Sequence, residues 1–246
     1  MLARFAPGTR KVRRRSDRGR GPGRFWLEPL ESRELLTAIV AADFDGDGRS
    51  DFAVYAWDAA RGAGAFTLER SRLGSLTLSF GGPSDQPVVG DYTGDGRTDL
   101  GVYGFSALEG YSRFAILPSD GRSAFAQPFG GKNDRPVSGD FDGDGITDFA
   151  VYGFSAQDGV HRFAVLLSAG PSEQHPQGVI MLPFGGENDV PIVGDFDGDG
   201  RTDFGVYGRS GTNPYSRFEI LLSGGPSAEF PSGSIVQPFG GLGDVP

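Results

Sequence analysis

Apolar and polar residues alternate in short runs along most of the chain, and segments rich in Gly, Asp and Pro separate the runs. In one stretch the alternating runs are Pro87–Asp91, Asp99–Gly104, Ser112–Leu117 and Ala124–Phe129. Alternation with period two, together with Val and Tyr, is typical of β-strands. The same four-run pattern returns after 48, 49 and 55 residues, counted between equivalent aspartates. The pattern therefore predicts an all-β fold built from four tandem units of four strands.

The units differ in two respects. Units three and four carry about six extra residues before the last predicted strand, at Pro171–Gly178 and Pro226–Gly233, and we expect surface loops there. Unit one diverges at Trp57 and Leu68–Arg70. The apolar run Ile39–Ala42 aligns with Pro87–Gly90, so it is interpreted as the strand that enters the first unit and not as a signal peptide.

Each unit contains one acidic tract of nine residues between its first two predicted strands. Positions 1, 3 and 5 supply side-chain oxygens, position 7 a backbone carbonyl and position 9 a further carboxylate, which is the ligand chemistry that Ca²⁺ selects. Gly at position 6 allows the sharp turn that gathers these oxygens. The predicted ligands are Asp43, Asp45, Asp47, Arg49 and Asp51; Asp91, Thr93, Asp95, Arg97 and Asp99; Asp140, Asp142, Asp144, Ile146 and Asp148; and Asp195, Asp197, Asp199, Arg201 and Asp203.

A simple hairpin turn is the alternative interpretation of each tract, because Asp-Gly pairs form turns without metal. However, two like charges about 4 Å apart repel by roughly 4 kcal/mol at an effective dielectric constant of 20, so four converging carboxylates favour a cation. We expect up to four Ca²⁺ ions, and the weakest site in the second tract, where Thr93 replaces an aspartate. Position 12 is valine in every tract, so the closing glutamate of an EF-hand is missing.

The tracts and a second recurring motif carry a resemblance. Phe-Gly-Gly stands before a loop that ends in Asp-x-Pro in all four units, starting at Phe80, Phe129, Phe184 and Phe239. This combination resembles the calcium loops of FG-GAP repeats in integrin α-subunits, and still more the bacterial VCBS/FG-GAP-like repeats. Over residues 38–246 the resemblance implies a β-propeller with one blade per repeat, in secreted or surface proteins that adhere or bind carbohydrate. Either the four units close a ring, or they form an arc of a larger propeller with exposed apolar end faces that would drive self-association.

The preceding residues, 1–37, form a separate predicted domain. Residues 1–24 contain nine Lys/Arg and one Asp without hydrophobic patterning, which predicts a disordered tail. A solvated or targeting tail is favoured over a nucleic-acid-binding arm because no nucleic-acid-binding motif accompanies it. Leu27–Leu36 resembles the LEPR-XLL motif near the N-terminus of large exported bacterial proteins, although Leu30 stands where that motif has arginine.

Composition excludes several classes of protein. The chain of 246 residues has no cysteine, so no disulfide stabilises it, and it has no apolar run long enough to span a membrane. Its net charge of −9 arises mainly from the acidic tracts and so does not indicate a partner. Two isolated histidines, His161 and His175, and the absence of a nucleophile motif argue against nucleophilic or zinc catalysis.

The function predicted is an extracellular binding or adhesion module without catalysis, with a glycan or a protein as ligand. A propeller-type polysaccharide lyase or hydrolase, or a non-catalytic fragment of a larger secreted enzyme, is the alternative. An enzyme would need paired carboxylates outside the tracts, for which Glu109, Asp158 and Glu173 are the candidates. Recurring Arg-Phe pairs (Arg113-Phe114, Arg162-Phe163, Arg217-Phe218) could form a sugar or anion pocket with Tyr111 and Tyr215. The favoured interpretation places each Phe in the core and pairs each Arg with a carboxylate across the strands.

Overall fold

The computed structural model describes residues 42–209, 216–241 and 244–246, all within the second of two units of the chain, residues 35–246. These residues form β-strands joined by turns and loops, and they include no helix. The strands are β1 (Phe52–Asp58), β2 (Ala63–Arg70), β3 (Gly74–Ser79), β4 (Gln86–Gly90), β5 (Asp99–Ser106), β6 (Tyr111–Leu117), β7 (Phe125–Pro128), β8 (Arg135–Gly139), β9 (Asp148–Ser155), β10 (Val160–Leu166), β11 (Val179–Pro183), β12 (Val190–Gly194), β13 (Asp203–Arg209), β14 (Ser216–Leu221) and β15 (Ser234–Pro238).

The strands form four antiparallel sheets, called sheets 1 to 4, and in each sheet the strands follow in chain order. Sheet 1 contains β1–β3, sheet 2 β4–β7, sheet 3 β8–β11 and sheet 4 β12–β15. The all-β prediction and the four strands predicted for unit two are therefore confirmed, with boundaries within two residues. The first predicted strand of unit one lies almost wholly outside the described residues, and only Ala42 is seen, in a single bridge to Asp51.

A tyrosine and a phenylalanine face each other in every sheet, across β1 and β2 in sheet 1 and across the two middle strands in sheets 2 to 4. In sheet 2 the pair is Tyr103 and Phe114, with ring centroids 4.9 Å apart. Such tilted aromatic pairs contribute roughly 0.5–1.5 kcal/mol beyond the burial of their area. The four pairs are Tyr55–Phe66, Tyr103–Phe114, Tyr152–Phe163 and Tyr207–Phe218.

The hydrophobic core is divided into three clusters, and each lies between two neighbouring sheets. Between sheets 2 and 3, for example, Tyr92 and Phe114 pack against Phe149 and Val151. The extra segments Pro171–Gly178 and Pro226–Gly233 lie outside these cores as mainly exposed loops, as predicted.

The sheets follow one another as blades, with β4 packed beside β8 and β8 beside β12. The described residues form no closed ring, since the faces that would meet are exposed at Phe52 and Phe196. Of the two predicted arrangements, the open arc is the one that these contacts fit. A pairing of Val245 and Pro246 with Ile39 and Val40 would indicate a ring, but Ile39 and Val40 lie outside the described residues.

The predicted basic tail and the LEPR-XLL-like segment also lie outside the described residues. Within those residues, no helix combines the length and apolar character that a membrane crossing requires.

Candidate metal centres

The first aspartate of each acidic tract folds the tract into a loop. In the third loop, Asp140 Oδ1 accepts hydrogen bonds from the N–H groups of Gly143 (2.7 Å) and Asp144 (3.1 Å), and Oδ2 accepts one from Gly145 (2.8 Å). Gly143 and Gly145 both have positive φ, of 76° and 88°, a conformation that glycine adopts without strain. The other three loops repeat this arrangement around Asp43, Asp91 and Asp195.

The ninth-position aspartate is buried and braces the loop against its own sheet. Asp148 accepts the Phe141 N–H with Oδ2 and the Ser168 N–H with Oδ1, both at 2.8 Å. Burial raises the pKa of Asp148 to about 6, against the lowering effect of these N–H groups. The pKa values of Asp99 and Asp203 are likewise raised by burial.

Sequence reasoning missed the serines that hold the ninth-position aspartates. Each serine lies 20 residues after its aspartate, at Ser71, Ser119, Ser168 and Ser223, and each donates its backbone N–H. The constant spacing is visible in the sequence, so it was a usable signal. Ser71 Oγ also donates to Asp47 at 2.7 Å and Ser168 Oγ to Asp144 at 3.3 Å, which places the fifth-position carboxylates beside the same turn.

The third position holds buried oxygens for which the described part of the chain provides no hydrogen-bond donor. These atoms are Oδ1 of Asp45, Oγ1 of Thr93 and Oδ1 of Asp142, in loops 1, 2 and 3. The pKa of Asp142 is raised by burial and by the charges of Asp144 and Asp140. A buried carboxylate oxygen without a partner is costly, and a bound cation is one of the few ways to remove that cost.

The structure brings carboxylates together in three of the four loops, each with one oxygen within 4.8 Å of the others. In loops 1 and 3 the cluster joins positions 1, 3 and 9: Asp43, Asp45 and Asp51, and Asp140, Asp142 and Asp148. In loop 4 it joins positions 1, 3 and 5 instead: Asp195, Asp197 and Asp199. Among the described residues, Asp91, Asp95 and Asp99 of loop 2 form no such cluster, in keeping with the neutral Thr93.

Oxygen-only clusters with an unpaired buried oxygen fit a hard divalent cation such as Ca²⁺. The first, third and ninth positions of loops 1 and 3 would hold it, with the fifth position completing the set in loop 4. The position-7 residues, Arg49, Arg97, Ile146 and Arg201, were expected to contribute backbone carbonyls, and that expectation stays a prediction.

Neighbouring loops are joined to each other. The Thr98 N–H donates to the Asp43 carbonyl at 2.8 Å, and the Thr147 N–H donates to the Asp91 carbonyl at 2.7 Å. The position-7 side chain of the following loop lies over the Gly at position 4: Arg97 over Gly46 and Ile146 over Gly94. The loops therefore lie side by side, one per sheet, on the same side of the arc.

The Arg-Phe pairs agree with the packing interpretation in part. Phe114 and Phe163 are fully buried. The arginines form ion pairs, but their partners lie in the adjacent turn or on the same strand, so the predicted pairing across strands is wrong. Arg113 pairs with Glu109, Arg162 with Asp158 at 2.7 Å and Arg217 with Glu219 at 2.7 Å.

Two of the three carboxylates that were considered as catalytic candidates take part in these ion pairs. Glu109 and Asp158 each lie beside an arginine, and Glu173 lies on an exposed bend of an extra loop. The structure therefore gives Glu109 and Asp158 cationic partners within hairpins.

Two similar clefts lie beside these arginines. The first has a volume of about 430 Å³ and is lined by Asp85, Phe105 and Arg113 among others. The second has a volume of about 400 Å³ and is lined by the equivalent Asp134, Phe154 and Arg162. Each cleft lies where a Phe-Gly-Gly segment meets the middle strands of the next sheet.

In a comparison with known protein families, residues 140–206 match the FG-GAP-like repeat. The match runs from the first aspartate of loop 3 to Val206 in β13, and so includes loops 3 and 4 and the strands β9 to β12. None of the curated proteins compared with the chain matches it.

Proposed function

We propose that this protein is a calcium-stabilised β-propeller module that binds a carbohydrate outside the cell and catalyses no reaction of its own. The observation that carries the calcium part is the unpaired, buried oxygen of the third-position carboxylate in loops 1 and 3, at Asp45 and Asp142. A buried oxygen that lies beside other carboxylates and accepts no hydrogen bond is suited to bind a cation. The FG-GAP-like match at residues 140–206 supports the same proposal.

The proposed role of calcium is to stabilise the fold, without taking part in a reaction. Its positive charge cancels the repulsion among the loop carboxylates and ties the third position to the ninth, and thereby the loop to its sheet. Since binding requires the folded loop, the binding free energy adds to the free energy of unfolding. The module would then be most stable where calcium is abundant, as it is outside cells.

The two repeated clefts are the proposed carbohydrate sites. Each offers an aromatic ring for stacking and an arginine and an aspartate for hydrogen bonds to hydroxyl groups, in a volume suited to a small ligand. Phe154 is more than half exposed, so its ring is accessible. Two equivalent sites on neighbouring sheets would let one molecule bind two sugar units of a chain and gain avidity.

The ion pairs of Glu109 and Asp158 favour binding over glycoside cleavage. Each of these carboxylates is held by an arginine of its own hairpin, and neither lines one of the two clefts. The mechanism proposed is therefore recognition by preformed clefts on a rigid scaffold.

A glycan array in calcium-containing buffer, followed by calorimetry with the best ligand, tests the proposal. We expect binding, and Phe154→Ala should weaken it about tenfold, which corresponds to about 1.4 kcal/mol. Phe125→Ala is the control, because Phe125 is exposed but does not line either cleft. Absence of glycan binding, or release of reducing sugar above a blank, would contradict the proposal.

A further inference from the structure

The boundary between neighbouring sheets is built in the same way three times. The aromatic residue at position 2 of one loop packs on the residue that follows position 9 of the next loop. Tyr92 stacks on Phe149 with centroids 5.2 Å apart, and Phe141 stacks on Phe204 at 4.6 Å. At the first boundary the equivalent residues are Phe44 and Leu100, and both lie in one core cluster.

A second contact at each boundary involves the first glycine of Phe-Gly-Gly. A Cβ atom on Gly130 would lie 2.5 Å from Tyr103 Oη of sheet 2 and 3.0 Å from Val151 Cγ1 of sheet 3. Gly81 and Gly185 have the same two neighbours from their own adjoining sheets. The valine at position 12 of each loop repeat is thus the second residue that an entering sheet contributes to the boundary.

Sheet 1 presents the entering half of this boundary, and among residues 42–209, 216–241 and 244–246 no side chain covers it as Tyr92 covers Phe149. Phe52, which corresponds to the buried Phe149 and Phe204, is 69% exposed, and Val54, which corresponds to the buried Val151, is 42% exposed. Phe52 and Val54 are thus the equivalents, on the corresponding strand, of residues that the internal boundaries bury.

Sheet 4 presents the opposite half. Phe196, which corresponds to Tyr92 and Phe141, is 42% exposed, and Phe239 of the last Phe-Gly-Gly is 69% exposed. A Cβ atom on Gly240 would meet Tyr207, but in the described part of the chain no valine takes the place that Val151 takes beside Gly130. The two end faces are therefore the two halves of one recurring interface.

The polar contacts match as well. Within the chain, Thr98 and Thr147 donate their N–H groups to the first aspartate carbonyl of the preceding loop, whereas among the described residues no such donor faces Asp195. Ser50 occupies the equivalent position in loop 1, and it too has a backbone N–H and a side-chain hydroxyl that could make these hydrogen bonds. Arg49 has the position of Arg97, which covers Gly46, and would cover Gly198 in the same way.

We propose that sheet 1 of one copy of this chain docks on sheet 4 of a second copy, so that Phe52 of one stacks on Phe196 of the other. Continuity with the three internal boundaries identifies the occupant, since the second copy offers the same residue types at the same positions. The contact joins unlike faces, so copies assemble head to tail, either into a closed ring or into a growing series. The fourth metal loop is completed by Ser50 of the second copy.

Sedimentation velocity of the full chain over a wide range of concentration, in calcium-containing buffer, tests the proposal. We expect the sedimenting mass to rise from the monomer to its multiples as concentration increases. Phe52→Glu and Phe196→Glu should each hold the protein at the monomer mass at every concentration, because each variant loses one half of the contact. Both residues are exposed in the monomer, so neither substitution disturbs its core.

Mixing the two variants gives the decisive result. The Phe52→Glu copy keeps an intact sheet 4 and the Phe196→Glu copy keeps an intact sheet 1, so the mixture should form a species of twice the monomer mass and no larger one. Leu108→Glu is the control, since Leu108 lies in a turn, is 97% exposed, and should leave association unchanged. A chain that stays monomeric at all concentrations, variants that still associate alone, or a mixture that does not pair would each overturn the proposal.

Discussion

Thr202 and Asp140, which lie 62 residues apart, exchange two hydrogen bonds across the boundary between sheets 3 and 4. The Thr202 N–H donates to the Asp140 carbonyl at 2.7 Å, and the Asp140 N–H donates to Thr202 Oγ1 at 2.9 Å. Because Asp140 also organises loop 3, the metal loop of one sheet is held in place by the next sheet. A cation bound in loop 3 would therefore be coupled to the packing between sheets 3 and 4.

Thr202→Val should destabilise the protein by about 1–2 kcal/mol, because the substitution keeps the shape but leaves the Asp140 N–H without its acceptor. Chemical denaturation in calcium measures the change. Thr77→Val is the control: Thr77 lies opposite Thr67 on the exposed side of sheet 1, and its loss should stay within about 0.5 kcal/mol. Equal losses for the two variants would contradict the role assigned to Thr202.

Gly130→Ala should destabilise by more than Gly121→Ala, although both glycines have similar φ, 82° and 83°. Both variants bear the strain of positive φ, about 1–2 kcal/mol. Only at Gly130 does the new methyl group meet Tyr103 and Val151, and overpacking costs about 1–3 kcal/mol more. At Gly121 no atom of the described residues lies within 4 Å of such a Cβ. Denaturation midpoints that coincide for the two variants would show that the Phe-Gly-Gly boundary is loosely packed.

Asp142→Asn should change the sign of its effect with calcium. Without calcium the substitution removes a charge that burial and two neighbouring carboxylates disfavour, so the melting temperature should rise. With calcium it removes a ligand, so the melting temperature should fall. Asp120→Asn, in a surface ion pair with Arg122, serves as the control and should shift by a similar small amount in both buffers. A shift of Asp142→Asn in the same direction with and without calcium would argue against a metal at loop 3.

Stabilisation by calcium should diminish as pH falls through 6. Burial raises the pKa of Asp148 to about 6 in the metal-free protein, above its ordinary value of 3.8. The metal-free fold therefore holds this proton more tightly than the unfolded chain and gains stability as pH falls from above 6 towards 3.8. Calcium requires the ionised form, so protons compete with it. The difference in melting temperature between calcium and EGTA should shrink across this range; a difference that stays constant would contradict the ligand role of Asp148.

The local features of this fold could be predicted from the sequence. The loops depend on Asp and Gly within nine residues, and the strand that contains Tyr103 combines Val, Tyr and Phe, which favour strands, so both follow from short-range rules. The brace between Asp148 and Ser168 was missed because it depends on the hairpin register that brings residues 20 apart together. Arg113 was paired wrongly because alternation gives the face of a strand but not the partner in the adjacent turn.

Whether the four units close a ring or form an open arc stayed undecided between two predicted alternatives. Phe52 and Phe196 occupy the same sequence positions as buried residues of the middle units, so nothing in the pattern distinguishes them. Their exposure depends on the angle between successive sheets and on the number of sheets, which only the structure supplies. The carboxylate cluster of loop 4 could not be predicted from the pattern either, because it contains Asp199 in place of the ninth-position aspartate.

Thermal unfolding with excess calcium and with excess EGTA tests the central claim, that the acidic loops bind calcium and stabilise the sheets, most directly. A site that binds only the folded state contributes about 2.7 kcal/mol at 100 times its Kd. For a domain of this size one such site corresponds to roughly 5–10 °C. We predict that EGTA lowers the melting temperature by at least this amount and that added calcium restores it. Melting curves that superimpose in the two buffers would show that the loops are turns without metal.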